Sequence, residues 1–246
     1  MIKLKPTFNL DKVFLKVFGS SPDFIAKKVV ISPFISPDRF KLHFKKETVK
    51  EFSGELYRGV TGRFYNGLIT FIKTGPGRVL LKDCLFFLSH AGVKEMLFLG
   101  SAGGLRDLKI GDLLLSLRAT PHKDFSSYSL SDGDYSRKLK DYFLSIGRKS
   151  QVFLKEGKVF TLSSLFEQNQ AFLRRLEKSG FSGLDLELSH FFQAATISKI
   201  KAAGLCAISD LPLKRPLGEV DKKGKKLLLN SLNYAIINVL NFLIRE

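Results

Sequence analysis

The sequence predicts an α/β domain in which parallel strands are joined by helices, and three observations carry that prediction. Short apolar runs end in small residues, most plainly at Met96-Leu97-Phe98-Leu99 followed by Gly100-Ser101-Ala102-Gly103-Gly104. Ahead of that run, Leu81, Cys84, Leu85 and Leu88 recur at helical spacing, which completes a strand, helix, strand unit. The chain has 246 residues, 44% of them hydrophobic, enough for one large core.

Residues 1–27 are polar and irregular apart from a helix at Leu10–Phe18, and read as an extension packed on the outside of a domain spanning 28–246. Lys28–Ile31 is the first core strand. Ser32-Pro33-Phe34-Ile35-Ser36-Pro37-Asp38-Arg39 breaks it, because two prolines so close together exclude both helix and sheet ladder. That loop brings Arg39 near the strand end, and Asp38 opens a short helix through Phe44. Glu55–Val60 and Leu68–Ile72 are strands with Tyr65-Asn66-Gly67 as the turn between them. Thr74-Gly75-Pro76-Gly77 turns the chain into a helix over Val79–His90, which leads through Gly92 to the strand at Met96. A small-residue turn over Gly100–Gly104 follows, and Gly111-Asp112 leads into a second strand from Leu113. Arg118–Ser136, rich in Ser, Asp and Pro, is a long surface loop of the kind that covers a pocket. Then come a helix at Ser136–Ile146, strands at Gln151–Leu154 and Val159–Thr161, and a helix over Leu165–Lys178 closed by Gly180. Gly183–Glu187 is a strand ending in acidic residues, Leu188–Lys201 a helix, and Gly204–Asp210 the last core strand. The terminal helix carries Leu228, Leu232, Ala235, Ile236, Val239 and Leu243 on one face.

Forty Lys and Arg against 23 Asp and Glu give a formal charge of +17, which favours anionic company. The basic residues are scattered, without an arginine-rich tract or a nucleic-acid motif, so they read as a solvated face and nucleic acid is not the expected partner. No apolar run reaches the ~18 residues of a membrane span, and Met1–Pro6 lacks the apolar region of a secretion signal. The expectation is a soluble, cytoplasmic protein with no membrane partner. Cys84 and Cys206 sit inside apolar runs, as buried thiols do, and no zinc-ligand spacing is present, so no metal is expected.

Chemistry has three candidate places. Small residues at the carboxyl end of a strand let backbone N–H groups face a ligand, although the same glycines fit a close-packed corner. Asp185 and Glu187 end one strand and Asp210 another. An ionised carboxylate there is solvated, paired or lining a polar cavity, because leaving it dry and alone is costly. Glu187 equally fits a helix N-terminus, and Asp210 a turn before Pro212. His43, His90, His122 and His190 show no pairing, and no Ser/His/Asp or Cys/His arrangement is present.

Taken in order, Thr74-Gly75-Pro76-Gly77, FLGSAGGLRDLKIGDLLL from Phe98, GKVFTLSSLF from Gly157, GLDLEL from Gly183 and AISD from Ala207 resemble the nucleoside phosphorylase and nucleosidase superfamily. That superfamily includes purine nucleoside and uridine phosphorylases and methylthioadenosine/S-adenosylhomocysteine nucleosidase, and the resemblance covers about Lys28–Glu246. It implies a single three-layer domain with a twisted mixed, mostly parallel sheet flanked by helices, and cleavage of the bond between a ribose and a base. By the resemblance, Asp210 protonates or hydrogen-bonds a purine nitrogen, with Ser209 beside it and Leu165 and Phe166 against the base. Glu187 accepts from the ribose hydroxyls, Leu186 packs on the sugar, and Asp185 stands where the family has a glutamate. Gly100 and Ser101 admit and touch the nucleophile. Arg39 holds the position of the phosphate-binding arginine, and Arg58 that of an arginine lent by a neighbouring subunit.

Two departures bear on the acceptor. Phosphorylases of this group carry an arginine three residues before the serine, where this chain has Phe98, and the nucleosidase turn lacks that arginine as well. The nucleosidases' early acidic residue has no counterpart in Ile31–Arg39. Three readings follow: phosphorolysis of a purine nucleoside, with inorganic phosphate as co-substrate held by Arg39 and Ser101; hydrolysis; and binding of a nucleoside or another anionic metabolite without catalysis. The first is preferred. The resemblance implies no metal or organic cofactor, and a homo-oligomer, either a dimer or a trimer of dimers.

Overall fold

The computed structural model describes residues 7–147 and 152–246. Its first helix, α1 (Leu10–Phe18), begins where the Asn9 side chain accepts from the Lys12 N–H, and ends at Gly19, whose φ of 72° favours a residue without Cβ. One face of α1 carries Phe14, Val17 and Phe18. Phe14 and Phe18 are fully buried, stacked 4.3 Å apart, with Tyr57 and Phe87 against them. The amino-terminal segment thus packs on the domain through one buried face of α1, because apolar side chains gathered on one helical face need burial. Residues 1–6 of the expected extension lie outside the described residues.

β1 (Lys28–Ser32) is followed by α2 (Pro37–Lys41), then by β2 (Lys50–Ser53), β3 (Arg58–Phe64) and β4 (Gly67–Lys73), and by α3 (Arg78–His90). The chain continues through β5 (Glu95–Gly104), β6 (Leu113–Thr120), β7 (Ser129–Leu130), α4 (Gly133–Gly147), β8 (Leu154–Thr161) and α5 (Gln170–Lys178). β9 (Gly183–Asp185), α6 (Leu188–Ser198), β10 (Lys201–Asp210) and α7 (Lys222–Arg245) complete it. Alternation along β5 sends Met96 and Phe98 to a layer with α1, α3 and α6, and Leu97 and Leu99 to a layer with α4 and α7. The result is helices, sheet, helices.

Among the described residues ten strands form one sheet, in two parts with β7 paired onto β6 beside them. β5 pairs with β10, β10 with β6, β6 with β8, β8 with β9 and β9 with β5, so five strands close on themselves. From β5 an open arm extends through β1, β4, β3 and β2. Strand β5 serves both parts. Its Glu95–Phe98 pairs with β1 and its Gly103–Gly104 with β9, so the neighbours on that edge part between Phe98 and Gly103. Gly100 and Ser101 lie at this fork.

Several expected elements differ. Gly100–Gly104 is not a turn but the carboxyl half of β5, and its small residues answer to close packing. A Cβ on Gly100 would stand 2.4 Å from the Phe98 ring, one on Gly103 2.8 Å from Pro212, and one on Gly104 2.8 Å from Ile208. Gly100→Ala is expected to destabilise the protein by about 1–3 kcal/mol through overpacking, read as a lower denaturant midpoint at unchanged slope. A wild-type midpoint would mean that the Phe98 ring moves aside at no cost.

The two short strands expected around residue 155 are one, β8, which runs through Gly157 with a register shift opposite Ser116 and Arg118. Gln151 lies outside the described residues. Leu165–Lys178 divides into a 3₁₀ turn at Leu165–Glu167 and α5, because Asn169 caps α5 by accepting from the Phe172 N–H. Within the expected loop 118–136, β6 continues to Thr120, β7 pairs back onto it, and α4 starts at Gly133. Lys50–Ser53 pairs with β3 although three of its four residues are exposed, which is why no apolar pattern announced it. By length and mean hydropathy α7 matches a membrane span, and its Leu232, Ala235, Ile236, Val239, Leu240 and Leu243 pack into the core instead.

Candidate active site

At the fork in the sheet a cavity of about 190 Å³ opens at the carboxyl ends of β5, β9 and β10. Of the residues singled out in the sequence, Ser101, Leu165, Asp185, Leu186, Glu187, Ser209 and Asp210 line it together, with Ala102 and Gly103 of β5 between them. Pro33 and Phe34 after β1, Pro76 after β4, Leu162 after β8, Gln168 before α5, Leu184 of β9 and Leu217 before α7 complete the wall. Gly100 directly precedes Ser101 in β5, over the Phe98 ring. Three singled-out residues are elsewhere. Phe166 is 99% exposed. On α2, the Arg39 guanidinium donates to Asn233 Oδ1 of α7 at 3.4 Å, and Arg58 lines a separate surface hollow with Asp38 and Glu51. A larger hollow of about 700 Å³ between 121–130 and α6 contains none of the singled-out residues.

The carboxylates in the cavity have distinct settings. Asp210 ends β10, is buried, and its Oδ1 accepts from the Ser209 hydroxyl at 2.6 Å. Burial raises its carboxyl above the ordinary aspartate range, and the Ser209 hydrogen bond opposes this only in part. Glu187 is also buried, and its Oε1 accepts from the Gly77 N–H at 3.2 Å. Burial, then the neighbouring charge of Asp185, pushes its carboxyl up to about 7, against the hydrogen bonds from Gly77 and Leu186. Asp185 spends its oxygens on the protein: the Thr161 hydroxyl donates to Oδ1 at 2.7 Å, and the N–H groups of Glu187 and Leu188 donate to Oδ2. Burial still carries it up to about 6.

Phe98, at the position where phosphorylases carry an arginine, is 1% exposed with its ring 5.4 Å from that of Phe191. It contributes packing beneath β5, and no charge. The side chains on the cavity wall offer three carboxylates, two hydroxyls, one amide and otherwise apolar surface, with no Lys or Arg among them. Among the described residues no group of three or more His, Cys, Asp or Glu is placed to hold a metal ion. Such a cavity is equipped to give a proton to a leaving group from a buried carboxyl whose proton is held more tightly than usual, and to accept hydrogen bonds from hydroxyls. Sequence reasoning missed the Gly77 N–H, Thr161, Phe34 and Gln168. The proline-broken loop and the Thr74–Gly77 turn were visible signals, but which cavity they face is a matter of strand order.

A family model described as the phosphorylase superfamily matches residues 29–236. Purine nucleoside phosphorylase DeoD-type of Buchnera aphidicola subsp. Acyrthosiphon pisum is 26% identical over 159 residues, which is 61% of this chain and 67% of that protein. Among solved structures, uridine phosphorylase from Vibrio fischeri ES114 aligns with a TM-score of 0.78 at 19% identity, over 92% of this chain and 95% of that one. The Campylobacter jejuni 5'-methylthioadenosine/S-adenosyl homocysteine nucleosidase aligns with a TM-score of 0.76 at 14% identity, over 90% and 100%. At these identities the structural likeness speaks for the fold alone.

Proposed function

This chain belongs to the phosphorylase superfamily, and from that premise we propose that it cleaves the N-glycosidic bond of a purine nucleoside with water as the acceptor. As the bond from C1′ to the base breaks, its electron pair leaves with the base, and Asp210 donates a proton to a ring nitrogen. Burial shifts the Asp210 carboxyl in the direction that a proton donor to a purine ring nitrogen needs. Positive charge grows on the ribose, where Glu187 accepts from the hydroxyls. Water held near the Ser101 hydroxyl attacks C1′ and passes its proton through solvent to the Asp210 carboxylate, which restores the acid and gives the free sugar and base.

The observation that carries the choice of water is the wall itself. A phosphate dianion in this cavity would meet a wall that carries carboxyl groups and no cationic side chain to pair with it, and Phe98 in place of an arginine. Incubation with inosine, adenosine and methylthioadenosine, with and without phosphate, tests it. Base release that phosphate leaves unchanged, with the free sugar (ribose, or methylthioribose from methylthioadenosine) as the other product, is expected. Ribose 1-phosphate would overturn the choice of acceptor, and no base release from any substrate would overturn cleavage.

Phosphorolysis is the second reading, favoured by the name of the Buchnera relative and by α2, whose Arg39 follows the loop that carries Pro33 and Phe34 to the cavity. In it the chain acts as a homo-oligomer in which Arg58 serves a neighbour's cavity, and Arg39→Ala raises the KM for phosphate.

A further inference from the structure

The N–H groups of Glu187, Leu188 and Ser189 begin α6, and the side chains of two residues take all three. Those residues, Thr161 and Asp185, are register partners at the ends of the parallel strands β8 and β9. Asp185 Oδ2 accepts from Glu187 N–H at 2.8 Å and from Leu188 N–H, while Thr161 Oγ1 accepts from Ser189 N–H at 3.0 Å. The Thr161 hydroxyl in turn donates to Asp185 Oδ1 at 2.7 Å, and both side chains are buried. Glu187 stands at the N-cap position, where a capping side chain ordinarily folds back onto the N–H two or three residues ahead. It makes no such bond. Its carboxylate lines the cavity instead, and accepts from the N–H of Gly77, 110 residues away in sequence.

We infer that Asp185 and Thr161 form a surrogate cap for α6 that frees the Glu187 side chain and sets its direction, so that Asp185 is a positioning residue and not a sugar ligand. The consequence for substrate rests on the function proposed above; the cap itself does not. An aspartate, one methylene shorter than a glutamate, keeps its carboxylate beside its own strand end, within reach of the N–H groups two and three residues on. Thr161 holds the second oxygen from the adjoining strand and covers the remaining N–H. With the first turn of α6 pinned at three points, the Glu187 backbone has little freedom, and its side chain leaves the helix start toward the cavity and the Gly77 N–H.

Residue-resolved amide exchange on the full chain tests this without requiring turnover. Glu187→Ala defines the Gly77 exchange rate when the acceptor is gone. In Asp185→Ala, exchange at residues 187 and 188 is expected to rise about tenfold, the scale of a lost cap, and Gly77 to approach its rate in Glu187→Ala. Asp185→Asn retains an acceptor oxygen and is expected to keep Gly77 near the wild-type rate. Should Asp185→Ala not fold, Thr161→Val makes a smaller cut, with faster exchange expected at Ser189 and Gly77. A wild-type Gly77 rate in a folded Asp185→Ala or Thr161→Val variant would overturn the inference, and so would a wild-type rate in Glu187→Ala. In the same variants kcat/KM should fall as the Gly77 rate rises. A chain that cleaves no nucleoside would remove the proposed function and leave the exchange pattern to decide the cap.

Discussion

Asp210→Asn is expected to lower kcat by about 10²–10⁴-fold, the range of a lost general acid, while the melting temperature near neutral pH stays level or rises. The two readouts move apart because one feature causes both. Asp210 is buried, and burial disfavours its charged form, which raises the carboxyl above the aspartate range. A group whose proton is held more tightly in the folded state contributes stability fully below its unfolded pKa, and that contribution is lost as pH rises through the folded value. Near neutral pH the neutral asparagine therefore removes a liability, while keeping an oxygen for the Ser209 hydroxyl. Activity shares the direction on the alkaline side, since only the protonated acid can deliver its proton, and wild-type turnover should decline as pH rises through the same value. Measuring base release and thermal midpoint on both proteins from pH 4, near the ordinary aspartate value, up to pH 8 checks the pair. Near-wild-type turnover in the variant would end the assignment of Asp210 as the acid, and a fall in midpoint at pH 8 would make it a structural residue.

Glu187→Ala should cost about 10²–10³-fold in kcat/KM, the equivalent of one or two hydrogen bonds to a charged acceptor, and less for a substrate lacking the 2′-hydroxyl. An equal loss on ribo- and 2′-deoxyribonucleosides would mean that Glu187 does not hold the 2′-hydroxyl. Its titration adds a second test. Glu187 is pushed up to about 7 and Asp185 to about 6, from 4.5 and 3.8, so the stability that each contributes is complete below about pH 4. It is lost as pH rises through 6 and 7, on the order of 3 kcal/mol for each group taken alone. Glu187→Gln is expected to match the wild type in stability at pH 4 and to exceed it at pH 8. A constant difference across that range would show that Glu187 titrates as it does in the unfolded chain.

Local spacing in the sequence determined where the helices and most strands lie, because periodicity records which face of an element meets apolar neighbours. Leu81, Cys84, Leu85 and Leu88 are all buried on α3, and Val29, Val30 and Ile31 are buried in β1. It also located the acidic strand ends, since Glu187 and Asp210 stand out against the apolar residues before them. Strand order decided the rest. Gly100–Gly104 has the composition of a turn, and it is a strand because β10 and β9 flank it and the nearby Pro212, Ile208 and Leu211 side chains leave no room for Cβ atoms. Arg39 lies one helix from the cavity, and its contact with Asn233 across 194 residues depends on where α7 crosses. Asp185 has the look of a second sugar ligand in a run of six residues. It becomes a cap because Thr161, 24 residues earlier, ends up beside it on the neighbouring strand, and that pairing is a property of the sheet rather than of either segment.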